Sequence, residues 1–527
     1  MTVRQKFLVL LIVVPALVML WAQYWPAAWW SFVLIGPLAL LGLYDMFQVK
    51  KAILRLYPVI GHFRYILESF RVEIQQYFIE SDLNGTPIPR EFRSLVYQRA
   101  KGQKDTRPFG TIMDVNKDGY EWINHSIAPT HIEEHELHVV FGGPECKQPY
   151  DAKPMNISAM SYGSLSKNAI EALNLGAKKG GFAHNTGEGG ISPYHFKHGG
   201  DLIFQFGTGY FGCRNAEGCF DAELFTKKAT AEQVKMIEIK LSQGAKPGHG
   251  GILPAVKLTA EIAEIRHVPM GQDVLSPPNH SAFNTPKELM LFVQQLRELS
   301  AGKPIGFKMC LGKRCELLAI CKAMIETGIK PDFITIDGSE GGTGAAPIEF
   351  TNSVGTPLKD ALITVNNALI GAGLRNEIKI IAAGKVISAF HLIKALALGA
   401  DTVNSARGMM FALGCVQSRA CNTDHCPTGI ATQDPARVVG LVVSDKAQRV
   451  ARYHAQMMKN VAELLGAAGL KSISDLKPHH IMHRLQGTIV KSYEEMFPTL
   501  DAGVLLDDTN RPDSWTYDWQ VADANRW

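Results

Sequence analysis

Three of the nine cysteines, Cys415, Cys421 and Cys426, share one stretch of sequence, GMMFALGCVQSRACNTDHCPTGIATQD (residues 408–434). Their spacing is C-x5-C-x4-C, and Pro427 follows the last. Thiolates favour iron–sulfur clusters, zinc and copper(I), so three of them on one polar loop form a candidate soft-metal centre. The C-x2-C pair of common zinc sites is missing here. Pro427 fixes the backbone directly after the last sulfur, as in the bacterial ferredoxin cysteine run. Three thiolates match a three-iron cluster, a cuboid lacking one corner. The competing reading, three cysteines packed as small hydrophobes, fits a polar segment poorly. His425, within the loop, is read as supporting the sulfurs rather than binding metal. A second set, Cys310, Cys315 and Cys321, is read as packing residues, because Cys315 and Cys321 fall on different faces of one helix.

The other candidate groups stand on glycine-rich stretches. These are NTGEGG (185–190), QGAKPGHGG (243–251), DGSEGGTG (337–344), AGK (383–385) and SARG (405–408). Each follows a short apolar run, and the runs at 155–159, 181–184, 202–206, 236–241, 305–309, 333–336, 378–382 and 402–405 read as strands. Amphipathic helical patterns separate several of them, for example at 167–179, 286–299, 315–327 and 390–398. Eight strands with interleaved helices over about 270 residues predict an α/β fold, a (β/α)8 TIM barrel. The alternative is an open doubly wound sheet. Its one G-x-G-x-x-G match, Gly207 to Gly212, leads into loop rather than helix and is counted as chance. In a barrel the chemistry gathers after the strand C-termini, and the last two loops are the usual phosphate site. Gly341, Gly342, Thr343, Gly384, Lys385, Ser405 and Arg407 are therefore expected to bind a phosphorylated cofactor. Flavin mononucleotide (FMN) is favoured, because a cluster nearby implies one-electron traffic. Lys308, ending the fifth strand, is placed at the flavin edge, where it would stabilise negative charge on the reduced ring.

The N-terminus has a different character. No charged residue occurs between Lys6 and Asp45, a run of about 38 residues, which suits two membrane spans of about 20 with a turn between. Tyr24, Pro26, Trp29 and Trp30 fall at that turn, and basic residues flank both ends of the run. The positive-inside rule then places both flanks, and the catalytic domain, in the cytoplasm. A cleaved signal peptide is the rival, but a second apolar run follows the first with no small-residue cleavage site. Residues 50–80 read as a basic amphipathic helix or two near lipid headgroups, or as an ordinary solvated helix packed on the next domain. The expected domains are a transmembrane hairpin (1–48), an amphipathic and irregular polar connection (49–150), the barrel (151–470) and a tail (471–527). Trp515, Trp519 and Trp527 of the tail are expected to dock on the barrel or on another subunit. A net charge of +4 on 527 residues gives no reason to expect a nucleic-acid partner. The odd cysteine count suits a reducing compartment.

MSYGSLS (160–166), NTGEGG, QGAKPGHGG, DGSEGGTGA and the cysteine loop, in this order, resemble the flavin domain of glutamate synthases. The likeness runs from about residue 154 to 470. It implies FMN in the barrel, a [3Fe–4S] cluster on Cys415, Cys421 and Cys426, and reductive amination of 2-oxoglutarate to glutamate. By the same resemblance Lys246 and Arg266 would hold the keto-acid carboxylates, since two cations suit a dianion and Arg grips a carboxylate with two bonds. Glu188 would stand where ammonia arrives or where the imine is protonated, or would serve as a structural carboxylate. Ser161, Asn185 and Thr186 would face the flavin ring. Bacterial glutamate synthases begin with an amidotransferase domain, and this chain begins with an apolar run instead. The nitrogen source is therefore expected to be ammonia or a small amine. Electrons are expected from an external donor, ferredoxin-like or a reductase subunit, because no FAD- or NAD(P)H-binding region is recognised. Two other readings stand beside this one: a related flavoenzyme for another keto or amino acid, and a membrane-tethered electron-transfer subunit.

Overall fold

The computed structural model describes residues 1–527, which form two compact units, 1–86 and 87–527. In the first unit, helix Val3–Ala22 starts at Thr2, whose hydroxyl accepts the Gln5 N–H in a capping box. It packs on the second apolar segment, where the Phe7 ring occupies the space a Cβ at Gly42 would need. Segments Val3–Ala22 and Pro26–Phe47 are long and apolar enough to cross a membrane, a test that a signal sequence also passes. The stretch after them is not one continuous helix. It breaks into Ala52–Leu56, His62–Ser69 and Arg71–Ile74, because Pro58 removes a donor and Val59 takes a left-handed backbone (φ 62). Buried Asp45 pins the break by accepting the Val59 N–H at 2.9 Å and pairing with His62 at 2.9 Å.

The second unit is built on a closed barrel of eight parallel strands. These are β1 Met155–Ile157, β2 His184–Asn185, β3 Leu202–Phe206, β4 Val234–Lys240, β5 Ile305–Met309, β6 Phe333–Asp337, β7 Lys379–Ala383 and β8 Thr402–Ser405. Val403 opposite Met155 closes the ring between β8 and β1. The strands are buried along almost their whole length, as parallel strands covered by helices must be. The expected second strand at 181–184 is displaced to His184–Asn185. Gly181 instead ends helix Lys167–Gly180 in the left-handed conformation (φ 65), a C-terminal stop that needs no Cβ.

Residues 87–150 are less irregular than their polarity suggests. Helix Arg90–Lys101 buries Val96 and Ala100, and with them Arg93 and Arg99. Arg99 is buried with partners: Asp105 at 2.8 Å, the Met457 sulfur at 3.1 Å, and Asn460. Buried arginines hide the helix in the sequence, because the apolar face carries charge. Val139–Phe141 pairs antiparallel with Tyr150–Ala152, and Phe141 meets Phe333, the first residue of β6, edge to face. This hairpin plugs the N-terminal end of the barrel, so the C-terminal end is the open one.

The tail covers the outer wall. Helix Asp513–Val521 lays Trp515 and Trp519 on the barrel helix Arg314–Thr327, with Arg314 4.5 Å from the Trp515 ring and Lys322 5.1 Å from that of Trp519. Trp527 departs from expectation and remains 48% exposed, because the helix ends before it. Truncating a buried tryptophan should cost roughly 3 kcal/mol. Trp519→Ala is therefore expected to lower the thermal midpoint of the barrel unit, and Trp527→Ala to leave it unchanged.

Candidate active site

The site begins inside the barrel with a charge that a buried strand would not ordinarily carry. Glu238 of β4 is fully buried. It accepts bonds from Asn185 Nδ2 (2.7 Å), Gln205 Nε2 (2.6 Å) and Thr335 Oγ1 (2.5 Å), which come from β2, β3 and β6. A buried carboxylate needs such donors to offset lost hydration. Its effect is to fix Asn185, whose own Oδ1 accepts the Gly187 N–H (3.0 Å) and so shapes the loop carrying Glu188. Thr186 is engaged in the same scaffold, accepting the Gln205 N–H at 3.1 Å.

Above this layer lies Glu188. Lys240, two residues after Glu238 and on the same face of β4, reaches it at 2.6 Å. Burial pushes the Glu188 pKa up, but Lys240, Lys246 and Arg266 outweigh burial and hold it below the ordinary value. The carboxylate is therefore ionised at neutral pH. Lys246 is pushed down to about 8, first by burial and then by Lys240, with Glu188 opposing. Its Nζ donates to the Ala345 carbonyl at 2.7 Å, which joins the loops after β4 and β6. Arg266, at the end of helix Ala260–Arg266, is pushed down to about 10 by burial, again opposed by Glu188. Its Nη2 donates to the Tyr162 carbonyl (3.1 Å) and lies 3.5 Å from Ser161 Oγ, while its buried Nε has no partner. Glu188, Lys246, Arg266 and Ser161 are thus neighbours in the structure.

Two glycines explain why these loops are glycine-rich. A Cβ at Gly251 would come within 2.6 Å of Glu188 Oε1, and one at Gly207 within 2.6 Å of Oε2. Here glycine serves to admit a buried carboxylate. Lys308 is also buried and pairs with Asp337 at 3.2 Å, so its charge is largely matched within the protein. Burial acts to lower its pKa, and Asp337 and Glu238 more than reverse that.

The expected phosphate residues converge on the far side of the mouth. The Arg407 Nη2 donates to the Glu340 carbonyl at 2.6 Å, and a Cβ at Gly342 would lie 3.1 Å from Arg407 Nε. Lys385 takes a left-handed backbone (φ 48) beside Gly384 (φ 145). Its pKa is lowered by burial and by Arg407. Two neighbouring cations, one of which lowers the pKa of the other, beside turns that few side chains tolerate, fit a phosphate dianion. A cavity of ≈ 360 Å³ opens against Gly384, Lys385 and Glu340. Ser405 is different: its hydroxyl is committed to the Val386 carbonyl at 2.6 Å. Gly341 and Thr343 lie on the same β6 loop, and Thr343 is exposed.

On the cysteine loop, Gln417, Arg419 and Asp424 all have positive φ (57, 57 and 64). Such strain in non-glycine residues is characteristic of functional loops. Cys426 would be pushed up by burial, but the Thr428 hydroxyl and the N–H groups of Ala431, Thr428 and Ile430 bring it below the ordinary thiol value. That cradle favours a thiolate. Cys415 is pushed up to about 12, mainly by burial, and Cys421 is raised by burial and by Cys426. The three sulfurs therefore sense one another. No three His, Cys, Asp or Glu side chains converge on one ion position. A three-iron cluster makes no such demand, because each thiolate takes its own iron. Lys257, unremarked in the sequence, lies beside this loop and is pushed down to about 8 by burial, against the pull of Asp424, Cys421 and Cys426.

Residues 126–471 match the model of the conserved region in glutamate synthase. The chain belongs to the glutamate synthase family. It is 38% identical over 488 residues to the glutamate synthase large subunit-like protein YerD of Bacillus subtilis, covering 85% of this chain and 92% of that one. It is also 38% identical over 335 residues to the archaeal glutamate synthase [NADPH] of Methanocaldococcus jannaschii, covering 63% and 62% of the two chains. It thus spans about three fifths of that relative. Among solved structures, flavocytochrome b2 with sulfite bound aligns over 84% of this chain and 89% of its own, at 12% identity and a TM-score of 0.42.

Lys240 and Glu238 were not singled out from the sequence. The signal was present: two charges at i and i+2 in VKMIEIK put both on one face of an otherwise apolar strand. The Gly251 contact generates a test with an internal control. Gly251→Ala should destabilise by about 1–3 kcal/mol through overpacking on Glu188. Gly312→Ala, whose Cβ would meet nothing within 4 Å, should change the melting temperature little.

Proposed function

We propose that this chain is a glutamate synthase-like oxidoreductase that reductively aminates 2-oxoglutarate to glutamate, with ammonia or a small amine as nitrogen donor. FMN would lie in the barrel mouth, and a [3Fe–4S] cluster on Cys415, Cys421 and Cys426. Electrons would come from an external ferredoxin-like or reductase partner, and the two N-terminal helices would anchor the chain to lipid with the barrel on the cytoplasmic side. The observation that carries this reading is the state of two cations. Lys240 pairs with Glu188, whereas Lys246 and Arg266 donate only to backbone carbonyls and a hydroxyl and have no ion-pair partner of their own. 2-Oxoglutarate carries two negative charges. A monocarboxylic keto acid would leave one cation unmatched at low dielectric, which is costly.

Lys246 and Arg266 would bind the two carboxylates, the guanidinium through its unpartnered Nε. Ammonia forms the C2–N bond, and the carbonyl oxygen leaves as water after taking up protons, giving 2-iminoglutarate. A carboxylate held below its ordinary pKa is a weak base but a good anchor for a cation. Glu188 is thus suited to accept a hydrogen bond from neutral ammonia before attack and to hold the protonated imine after it. Lys240 keeps Glu188 ionised and oriented. Lys385 and Arg407, with the Gly384 turn, would bind the FMN phosphate, while Ser161, Asn185 and Thr186 would border the ring and Lys308 its edge. Reduced FMN, when bound, supplies hydride to the imine carbon.

The direct test is anaerobic. Chemically reduced protein should be reoxidised by 2-oxoglutarate only when ammonium or methylamine is also present, yielding glutamate or its N-methyl form. A bound flavin that stays reduced with every combination would overturn the reading. Lys246→Met should raise the KM for 2-oxoglutarate about 30-fold, a loss of roughly 2 kcal/mol from one missing charge partner. Because the Lys246 cation is lost above its lowered pKa of about 8, KM in the wild type should rise above that pH. Lys246→Arg should move the rise to higher pH.

A further inference from the structure

Lys257 ends the short turn Ala255–Lys257 and is 2% exposed. Its ammonium makes no ion pair. Nζ donates to two neutral backbone carbonyls, those of Ser164 at 2.6 Å and Cys421 at 3.3 Å. A buried cation with only neutral acceptors is under-compensated, and the fold should place an anion within its reach. The anionic or ionisable groups that face it are Asp424 of the same loop and the sulfurs of Cys421 and Cys426.

The two carbonyls belong to different loops. Cys421 is on the cysteine loop, and Ser164 is on the loop after β1, where the Ser161 hydroxyl donates to Ser164 Oγ at 3.1 Å. Neutral bonds tie the same loops on either side. Gln433 Nε2 donates to Gly163 and Leu165 (3.0 and 2.9 Å), and Ser166 Oγ donates to the Gly429 carbonyl (2.7 Å). Ser161 borders the proposed flavin site and Arg266. Lys257 is therefore a charged tie between the candidate cluster loop and the candidate flavin loop.

We propose that Lys257 sets the reduction potential of the iron–sulfur centre, its fixed positive charge stabilising the electron that the cluster takes up on its way to the flavin. This rests on the reading of Cys415, Cys421 and Cys426 as cluster ligands. The step is a one-electron reduction of the cluster by the external donor, which is oxidised by one electron, and no proton or leaving group is involved. A thiolate-bound cluster is already anionic, so an added electron raises its negative charge by one unit in a low-dielectric site. A cation there favours the reduced form and raises the potential.

The test uses the full chain, purified anaerobically in detergent, as wild type, Lys257→Gln and Lys257→Arg. Iron and sulfide are measured first, and the paramagnetic signal of the oxidised cluster is then followed against applied potential. Lys257→Gln keeps the ability to donate to the carbonyls but removes the charge, and its midpoint should fall. Lys257→Arg should stay near wild type. Iron loss from Lys257→Gln alone, with Lys257→Arg loaded, also supports the charge role. An unchanged midpoint in a fully loaded Lys257→Gln protein overturns the proposal while leaving the cluster intact. Iron loss from both variants replaces it with a purely structural tie. Wild-type protein reconstituted with iron and sulfide that holds neither overturns the cluster reading itself, and the proposal with it.

Discussion

The structure of the site depends on keeping one half-buried carboxylate ionised among cations. Glu188 does this with Lys240 at 2.6 Å and with Lys246 and Arg266 nearby. In such surroundings an unpaired carboxylate would take up a proton, so each cation is a condition for the charge rather than an ornament of it. The excess of positive charge then makes its own demand. Burial already weakens the hold of Lys246 and Arg266 on their protons. On the proposed reading a bound dianion would relieve Lys246 and Arg266 together, and affinity for substrate would follow from their lack of carboxylate partners.

That imbalance explains features elsewhere in the barrel. Gly207 and Gly251 leave room on both sides of the Glu188 carboxylate, on loops from β3 and β4. Glu238, one turn of the pleat below Lys240, gathers donors from three other strands and so fixes the loop after β2 from beneath. The Phe141 hairpin seals the opposite end. Apolar closure at the floor and charge at the mouth are what allow a parallel barrel to be a packed core and an active site together.

Much of this was legible in the sequence, and the rest was hidden for definable reasons. Parallel strands are buried on both faces, so seven of the eight lay close to their apolar runs; β2 did not, because Gly181 belongs to a helix end. Glu188 and Lys246, on their glycine-rich motifs, and Arg266 all came from resemblance. Their mutual contact is tertiary and had no local signature. Lys240 and Glu238 were masked by the apolar residues around them. Helix Arg90–Lys101 was masked in the opposite way, since its buried face carries two arginines, and Arg99 finds partners some 360 positions away. Buried charge defeats pattern reading whenever its compensation is distant in sequence.

The cysteine loop poses the complementary problem. Its strain and its chemistry point the same way, but its three sulfurs are not equivalent. Cys426 is cradled by backbone N–H groups and the Thr428 hydroxyl, while burial holds Cys415 in the thiol form. A purely structural loop gains nothing from donors aimed at one sulfur, nor from left-handed backbone at Gln417, Arg419 and Asp424, each costing of order 1 kcal/mol or more. A loop that must present sulfurs to a metal centre gains from both. The donors lower the cost of removing the first proton, and the fixed backbone avoids reorganisation as the remaining thiols are deprotonated by the metal itself. Should the loop take up the proposed cluster, Cys426 would be the sulfur prepared to bind first, and Cys415 the one that needs the metal to become a ligand.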